Sequence, residues 1–255
     1  MLGLIQKDMY CLKKNLMLFC AITGGVILLS VMFILSSQFG NAAKGIESMM
    51  IEDDLSKEEI FSLFQIAVWA VLFIPMAFTG MVVECFKEDS KAGFHKYQFS
   101  LPLSSAKIVG SRYAACLLFA FVSLLGSLLA AFFVSLVSEV FVFGTLISYV
   151  FTFCGVMLIY LSLVMFLLYW LGTARADIIQ CAPFVVLFLA VLFWFLSKNM
   201  NMSEEMAEQM LVETMHVLGE NMKKKGWMVF MISLFCMGIS YLGSCLCVMR
   251  RKGIE

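Results

Sequence analysis

Residues 113–174 read YAACLLFAFVSLLGSLLAAFFVSLVSEVFVFGTLISYVFTFCGVMLIYLSLVMFLLYWLGTA, and Glu139 is the single charged side chain among these 62 positions. A bilayer's hydrocarbon core is ~30 Å thick and a helix rises ~1.5 Å per residue, so one crossing takes ~20 apolar residues. The stretch is too long for one helix and fits two, at 113–137 and 145–171, turning near Ser138–Thr145. No water reaches backbone N–H and C=O groups inside lipid, so each segment must satisfy them internally as a helix. Barrel strands would instead alternate apolar and polar residues over ~10 positions, and no such pattern occurs.

The same reading applied outward places four more spans in charge-poor runs, at 15–37, 61–83, 178–196 and 227–249. Composition agrees: 62% of residues are hydrophobic, 14% are charged, and the mean hydropathy is +0.95. Soluble domains run nearer half apolar and a quarter charged. The chain is therefore expected to be an all-α, polytopic membrane protein, with six transmembrane helices in one domain over 1–255. The first residues, MLGLIQKDMY, lack the short apolar core and small-residue cleavage site of a signal peptide.

Loop charges set the orientation, because Lys and Arg concentrate on the cytoplasmic side. With both termini inside, 12 of the 18 basic residues fall in inner segments, while 12 of the 18 acidic residues fall outside. The expected topology is N-in, C-in, in the cytoplasmic membrane. Lys223–Lys225, beside an outer helix end, is the discordant feature. Trp194 and Trp227 lie at outer helix ends and Trp170 at an inner one, as an aromatic belt would place them.

Outside the spans, residues 1–14 carry Leu2, Ile5, Met9 and Leu12 at helical spacing and read as a helix lying in the cytoplasmic interface. A plain basic flank is the simpler alternative. Ser56 and Glu59 form a capping box ahead of the second span, which is structural punctuation. Residues 202–223 read as an extracellular amphipathic helix, with Met206, Met210, Met215 and Met222 on a soft face opposite Glu205, Glu213 and Glu220. Met210 and Met215 are candidates for substrate contact, with packing as the alternative.

The inner segment 84–112 is the main functional lead. It reads ECFKEDSKAGFHKYQFSLPLSSAKIVGSR. A connector between helices needs only a few residues, whereas this one mixes charge with Phe86, Phe94, Tyr97 and Phe99 and carries Pro102. It is expected to form a structured element that docks a partner on the cytoplasmic side.

Several chemistries lack their residues. The nine cysteines form no C-x-x-C pair, and no G-x-x-x-x-G-K-[ST] phosphate loop occurs. His95 and His216 are expected on opposite faces of the membrane, so no intramembrane catalytic pair is built from them. No ionisable residue lies clearly inside a span, where an ion-coupled secondary transporter or channel would place its relays. Polar positions within the spans are Gln65, Thr79, Ser123 and Ser127, candidates for a substrate path. Ser123, Ser127 and Ala131, four apart, also fit close helix packing.

The order of these features resembles the membrane subunits of bacterial ATP-binding-cassette exporters of the type-2 permease class. Within it the chain looks closest to small peptide-moving permeases such as the phenol-soluble-modulin exporters of staphylococci. The matching residues are Lys7-Asp8, then Lys87-Glu88-Asp89, then the turn Leu101-Pro102-Leu103-Ser104, then Lys107-Ile108-Val109 and Arg112-Tyr113. Ser90, Phe94 and Ser105 depart from the residues common at those places.

The resemblance implies that 84–112 contains a coupling helix inserted into a separate ATPase subunit. Lys7, Asp8, Glu88, Asp89, Phe94, Tyr97, Leu101, Pro102 and Lys107 would make that coupling surface. It further implies that ATP and Mg²⁺ are bound by the partner rather than by this chain, that catalysis is not this chain's own, and that a second permease copy or paralogue completes the path. Spans without charge suit a hydrophobic or amphipathic substrate such as a membrane-active peptide or antibiotic, which fits a role in antimicrobial peptide resistance. No nucleic acid is implied. An ATP-independent secondary transporter or channel is the alternative.

Overall fold

The computed structural model describes residues 2–11, 13–39, 74–76, 79–93, 104–137, 143–172, 176–199 and 204–252. Gln65, Phe94, Tyr97, Leu101, Pro102 and most of the expected span 61–83 lie outside these residues. The described helices are α1 (Leu2–Cys11), α2 (Lys13–Phe39), α3 (79–91), α4 (Ser105–Val137), α5 (Phe143–Leu171), α6 (Ala176–Asn199) and α7 (Glu204–Lys252). No strand occurs among the described residues.

Three segments are long and apolar enough to cross a membrane: Ser105–Leu136 in α4, Phe143–Leu171 as α5, and Gly219–Arg250 in α7. Shorter apolar stretches occupy Met17–Met32 of α2 and Ala176–Val186 of α6. α5 is the central helix: 61% of its apolar window is buried, against 33% for α4 and 28% for α7. Its Val150, Leu158, Leu161, Val164, Met165 and Leu168 fill the core. The outward faces of α4 and α7, with Phe121, Leu129, Met231 and Phe235 exposed, are as apolar as the core. Such faces are stable in lipid and would be aggregation sites in water.

α5 packs along its length against α7, and Gly226 permits the close approach. A Cβ at 226 would overlap the carbonyl and hydroxyl oxygens of Ser148. Small residues are what bring membrane helices together, since lipid tails are as apolar as side chains and leave dispersion and hydrogen bonds to hold the contact. α7 itself runs unbroken for 49 residues. The stretches read as a separate amphipathic helix (202–223) and a span (227–249) thus share one helix from Glu204. The change from charged to apolar composition at Gly226 changes the surroundings of the helix, not its hydrogen bonding.

Helical structure also extends into both ends of the 84–112 segment. α3 reaches residue 91 on a buried stripe of Val82, Val83, Cys85, Phe86 and Asp89, at the spacing of one helix face. α4 begins at Ser105, ahead of the expected start at 113, because the apolar run is preceded by residues that extend the helix without a breaker.

Candidate functional site

The stems of the 94–103 segment are defined by the chain's own capping groups. At the end of α3 the Ala92 N–H donates to the Glu88 carbonyl at 2.9 Å and the Gly93 N–H to the Ser90 carbonyl at 3.1 Å. Gly93 has φ of 66°, the left-handed conformation in which glycine closes a helix without steric cost. α4 begins on Ser104, whose carbonyl accepts from the N–H groups of Lys107 at 2.9 Å and Ile108 at 3.2 Å.

Asp89, in the last turn of α3, and Arg112, two turns into α4, clasp these stems together. The Arg112 guanidinium forms an ion pair with Asp89 Oδ2. It also lies over the ring of Phe86, 5.1 Å from the centroid. From the other side, Lys7 Nζ of α1 donates to Asp89 Oδ1 at 2.7 Å and to Oδ2 at 2.9 Å. Asp89 and Arg112 are 7% and 6% exposed, so the pair is withdrawn from bulk water. Asp89 is the carboxylate both cations share, and losing a buried charge partner costs about 3–5 kcal/mol. Phe86 meets Tyr169 of α5 edge to face, with centroids 5.7 Å apart. One carboxylate and one ring therefore join α1, α3, α4 and α5.

The next residue, Lys87, reaches α6. Its Nζ lies 2.6 Å from Asp177 Oδ1 and 3.5 Å from Glu84 Oε2. The Asp177 hydrogen bond, with help from Glu84, holds the Lys87 amine above the usual lysine range. Asp177 is in the first turn of its helix, where a negative charge suits the helix dipole. Lys91 is exposed and pairs with Glu88 at 2.9 Å, and that bond raises its pKa. Lys107 is exposed at the start of α4. The Asp8 side chain lies outside the described ones.

Immediately after Arg112, Tyr113 turns into the bundle. Its hydroxyl lies 2.6 Å from Ser240 Oγ and 2.9 Å from Ser244 Oγ of α7. Ser240 donates to the Ser162 carbonyl of α5 at 2.5 Å. With that proton committed, Tyr113 donates to Ser240 and Ser244 donates to Tyr113. Two consecutive residues of α4 thus face different systems: Arg112 the ionic clasp, Tyr113 a buried hydroxyl chain to α7 and α5.

The candidate path residues in the spans are placed differently. Thr79 donates to the Met76 carbonyl at 2.7 Å and Ser127 to the Ser123 carbonyl at 3.0 Å, so both hydroxyls bond backbone three or four residues earlier in the chain. The Ser123 hydroxyl is buried and has no hydrogen-bond partner among the described residues. Ser123 also borders an apolar cavity of about 150 Å³ with Pro75, Leu117, Phe121, Cys154 and Phe230. Met210 and Met215 lie on α7, and their side chains are outside the described ones. Among the described residues no group of three His, Cys, Asp or Glu is placed to hold a metal.

A family model described as ABC-2 family transporter protein matches residues 59–248, about three quarters of the chain. The chain belongs to the ABC-2 transporter family. It is accordingly a multi-pass membrane transport component, and membership implies an ATPase partner. No curated protein and no solved structure matches it. The matched region of this ABC-2 protein includes Asp89, Arg112, Tyr113 and the serines of α7, whereas Lys7 precedes it.

Sequence reasoning singled out Lys7 and Asp89 separately, and the fold brings them into contact. It did not find the roles of Arg112 as counter-ion, of Asp177 as partner to Lys87, or of Tyr113 as a hydroxyl bridge. The available signal was the Arg112-Tyr113 pair itself, a buried-type cation beside a phenol at a span's inner edge.

Proposed function

We propose that this chain is the membrane-spanning permease of an exporter in the bacterial cytoplasmic membrane. It moves a hydrophobic or amphipathic substrate outward, in the class of membrane-active peptides or lipophilic antibiotics, toward secretion or antimicrobial peptide resistance. ATP and Mg²⁺ act on a separate ATPase subunit, and two permeases, identical or paralogous, form the path. The six-span, N-in/C-in arrangement places both termini and the 94–103 segment on the ATPase side.

The observation that carries this reading is the clasp on Asp89. A flexible loop pressed by a partner would absorb the displacement. A segment whose flanking helices share a buried ion pair transmits it to α3 and α4 as rigid bodies. Lys7 adds α1 to the moving unit, and Tyr113 hands the displacement to α7 and α5. Phe94, Tyr97 and Leu101 would fill a groove on the ATPase, with Lys91 and Lys96 against an acidic rim. The stretches 113–137 of α4 and 226–249 of α7, like α5, carry no charge and suit a cargo with little net charge.

The test is affinity capture of the tagged chain from native membranes in mild detergent, with ATPase assay and identification of captured chains. Recovery of a phosphate-loop ATPase, lost when Phe94, Tyr97 and Leu101 are changed to Ala, supports the proposal. Recovery of the chain alone, without ATPase activity, sinks it in favour of a secondary transporter or channel.

A further inference from the structure

α7 carries a basic triplet at each end of its apolar stretch, Lys223–Lys225 and Arg250–Lys252. From Lys225 to Arg250 the helix rises ~37 Å, which sets the triplets at headgroup depth on opposite sides of a bilayer. Whichever way the chain is inserted, one triplet faces the outer leaflet, against the inward bias of Lys and Arg.

The Lys223–Lys225 turn rests against α5. Ser148 Oγ of α5 lies 2.9 Å from the Met222 carbonyl and 2.7 Å from the Lys223 carbonyl, and Gly226 closes the contact. The turn's backbone is therefore fixed while its three lysine side chains stay exposed. Lys224 pairs with Glu220 at 2.9 Å. Among the described residues Lys223 and Lys225 have no acidic partner. Directly below, Trp227 stacks on Phe151 with centroids 3.9 Å apart, and it is followed by exposed Met228, Met231, Ile232 and Phe235. Cationic groups above an amphipathic indole above an apolar face match one kind of molecule from head to tail.

We infer that the Lys223–Lys225 turn binds the headgroup of an anionic phospholipid, whose acyl chains lie along Met228, Met231 and Phe235. A soluble anion would satisfy the lysines and leave the apolar face unused. Trp227, exposed and stacked on Phe151 one residue beyond the turn and Gly226, is the amphipathic ring that sets the depth. The site needs no ATPase, so it stands or falls separately from the export reading.

The experiment is reconstitution of the full-length chain with equal phosphatidylglycerol and phosphatidylcholine, followed by counting the lipids retained on the purified protein by mass spectrometry. Wild type is expected to retain phosphatidylglycerol preferentially. Juxtamembrane lysines each shift anionic-lipid binding about fivefold, so Lys223→Gln with Lys225→Gln is expected to lower the preference on the order of thirtyfold. Lys223→Arg with Lys225→Arg should restore it. An unchanged preference in the glutamine variant, at unchanged elution volume and helicity, overturns the inference. So does equal loss of both lipids, or a loss confined to an added acidic peptide.

Discussion

Asp89 sets one buried negative charge against two cations, and its neighbours decide what each substitution does. Asp89→Asn keeps the shape but removes the buried carboxylate that Arg112 and Lys7 share, so the detergent-solubilised protein should lose about 3–5 kcal/mol of stability. Lys7→Met should cost less, because the Lys7 side chain is 26% exposed and water replaces part of its bonding. Thermal unfolding of the two variants side by side checks the order. Tyr113→Phe removes a bridging hydroxyl yet leaves Ser240 bonded to Ser162, so the loss should be about 0.5–1.5 kcal/mol. At this scale the sequence was partly legible. Lys7 and Asp89 were both assigned to the coupling surface by the resemblance, but they are 82 positions apart. Only the packing of α1 on the stems of the 94–103 segment makes them a pair. Arg112 was visible as a residue and invisible as a counter-ion for the same reason.

At the scale of the element, hydropathy located the apolar helices because a ~30 Å core imposes a minimum length on any crossing. It did not locate the starts of α4 or α7. Composition reports where a helix meets lipid, whereas its hydrogen bonds continue until the backbone groups at an end find caps. No proline occurs between Glu204 and Lys252, and the 49-residue helix follows. Gly226 is where α7 meets α5, so Gly226→Ala should force the helices apart and cost about 1–3 kcal/mol as an overpacked contact. Gly238→Ala is the control: nothing lies within 4 Å of its added methyl, and the helix should gain up to about 1 kcal/mol. Thermal unfolding that ranks the two the other way contradicts the assigned crossing.

The α3–α6 link behaves as an exposed pair. Asp177 is 85% exposed, so Lys87→Met should cost under about 1 kcal/mol. Lys87's pKa is raised in the folded chain, so its contribution is complete below the ordinary lysine value of 10.5 and fades as pH climbs through the folded value. The difference between wild type and Lys87→Met should therefore stay flat from pH 6.5 to about 9 and shrink only at strongly alkaline pH.

For the whole molecule, the family match covers the region from the second expected span to the end of the last, and the clasp sits where that region meets α1. Helix content and membrane character were legible from composition, because lipid allows few alternatives to the helix. How the helices are tied was not, because Asp89, Tyr113 and Gly226 act through partners on other elements. The central claim is that the clasp makes the 94–103 segment a rigid handle for an ATPase. Its most direct test is the ATPase activity captured with the tagged wild type, Asp89→Glu and Asp89→Asn, at matched membrane levels and elution volumes. Wild type and Asp89→Glu should bring down comparable activity, and Asp89→Asn should lose most of it. Full activity captured by Asp89→Asn would contradict the account.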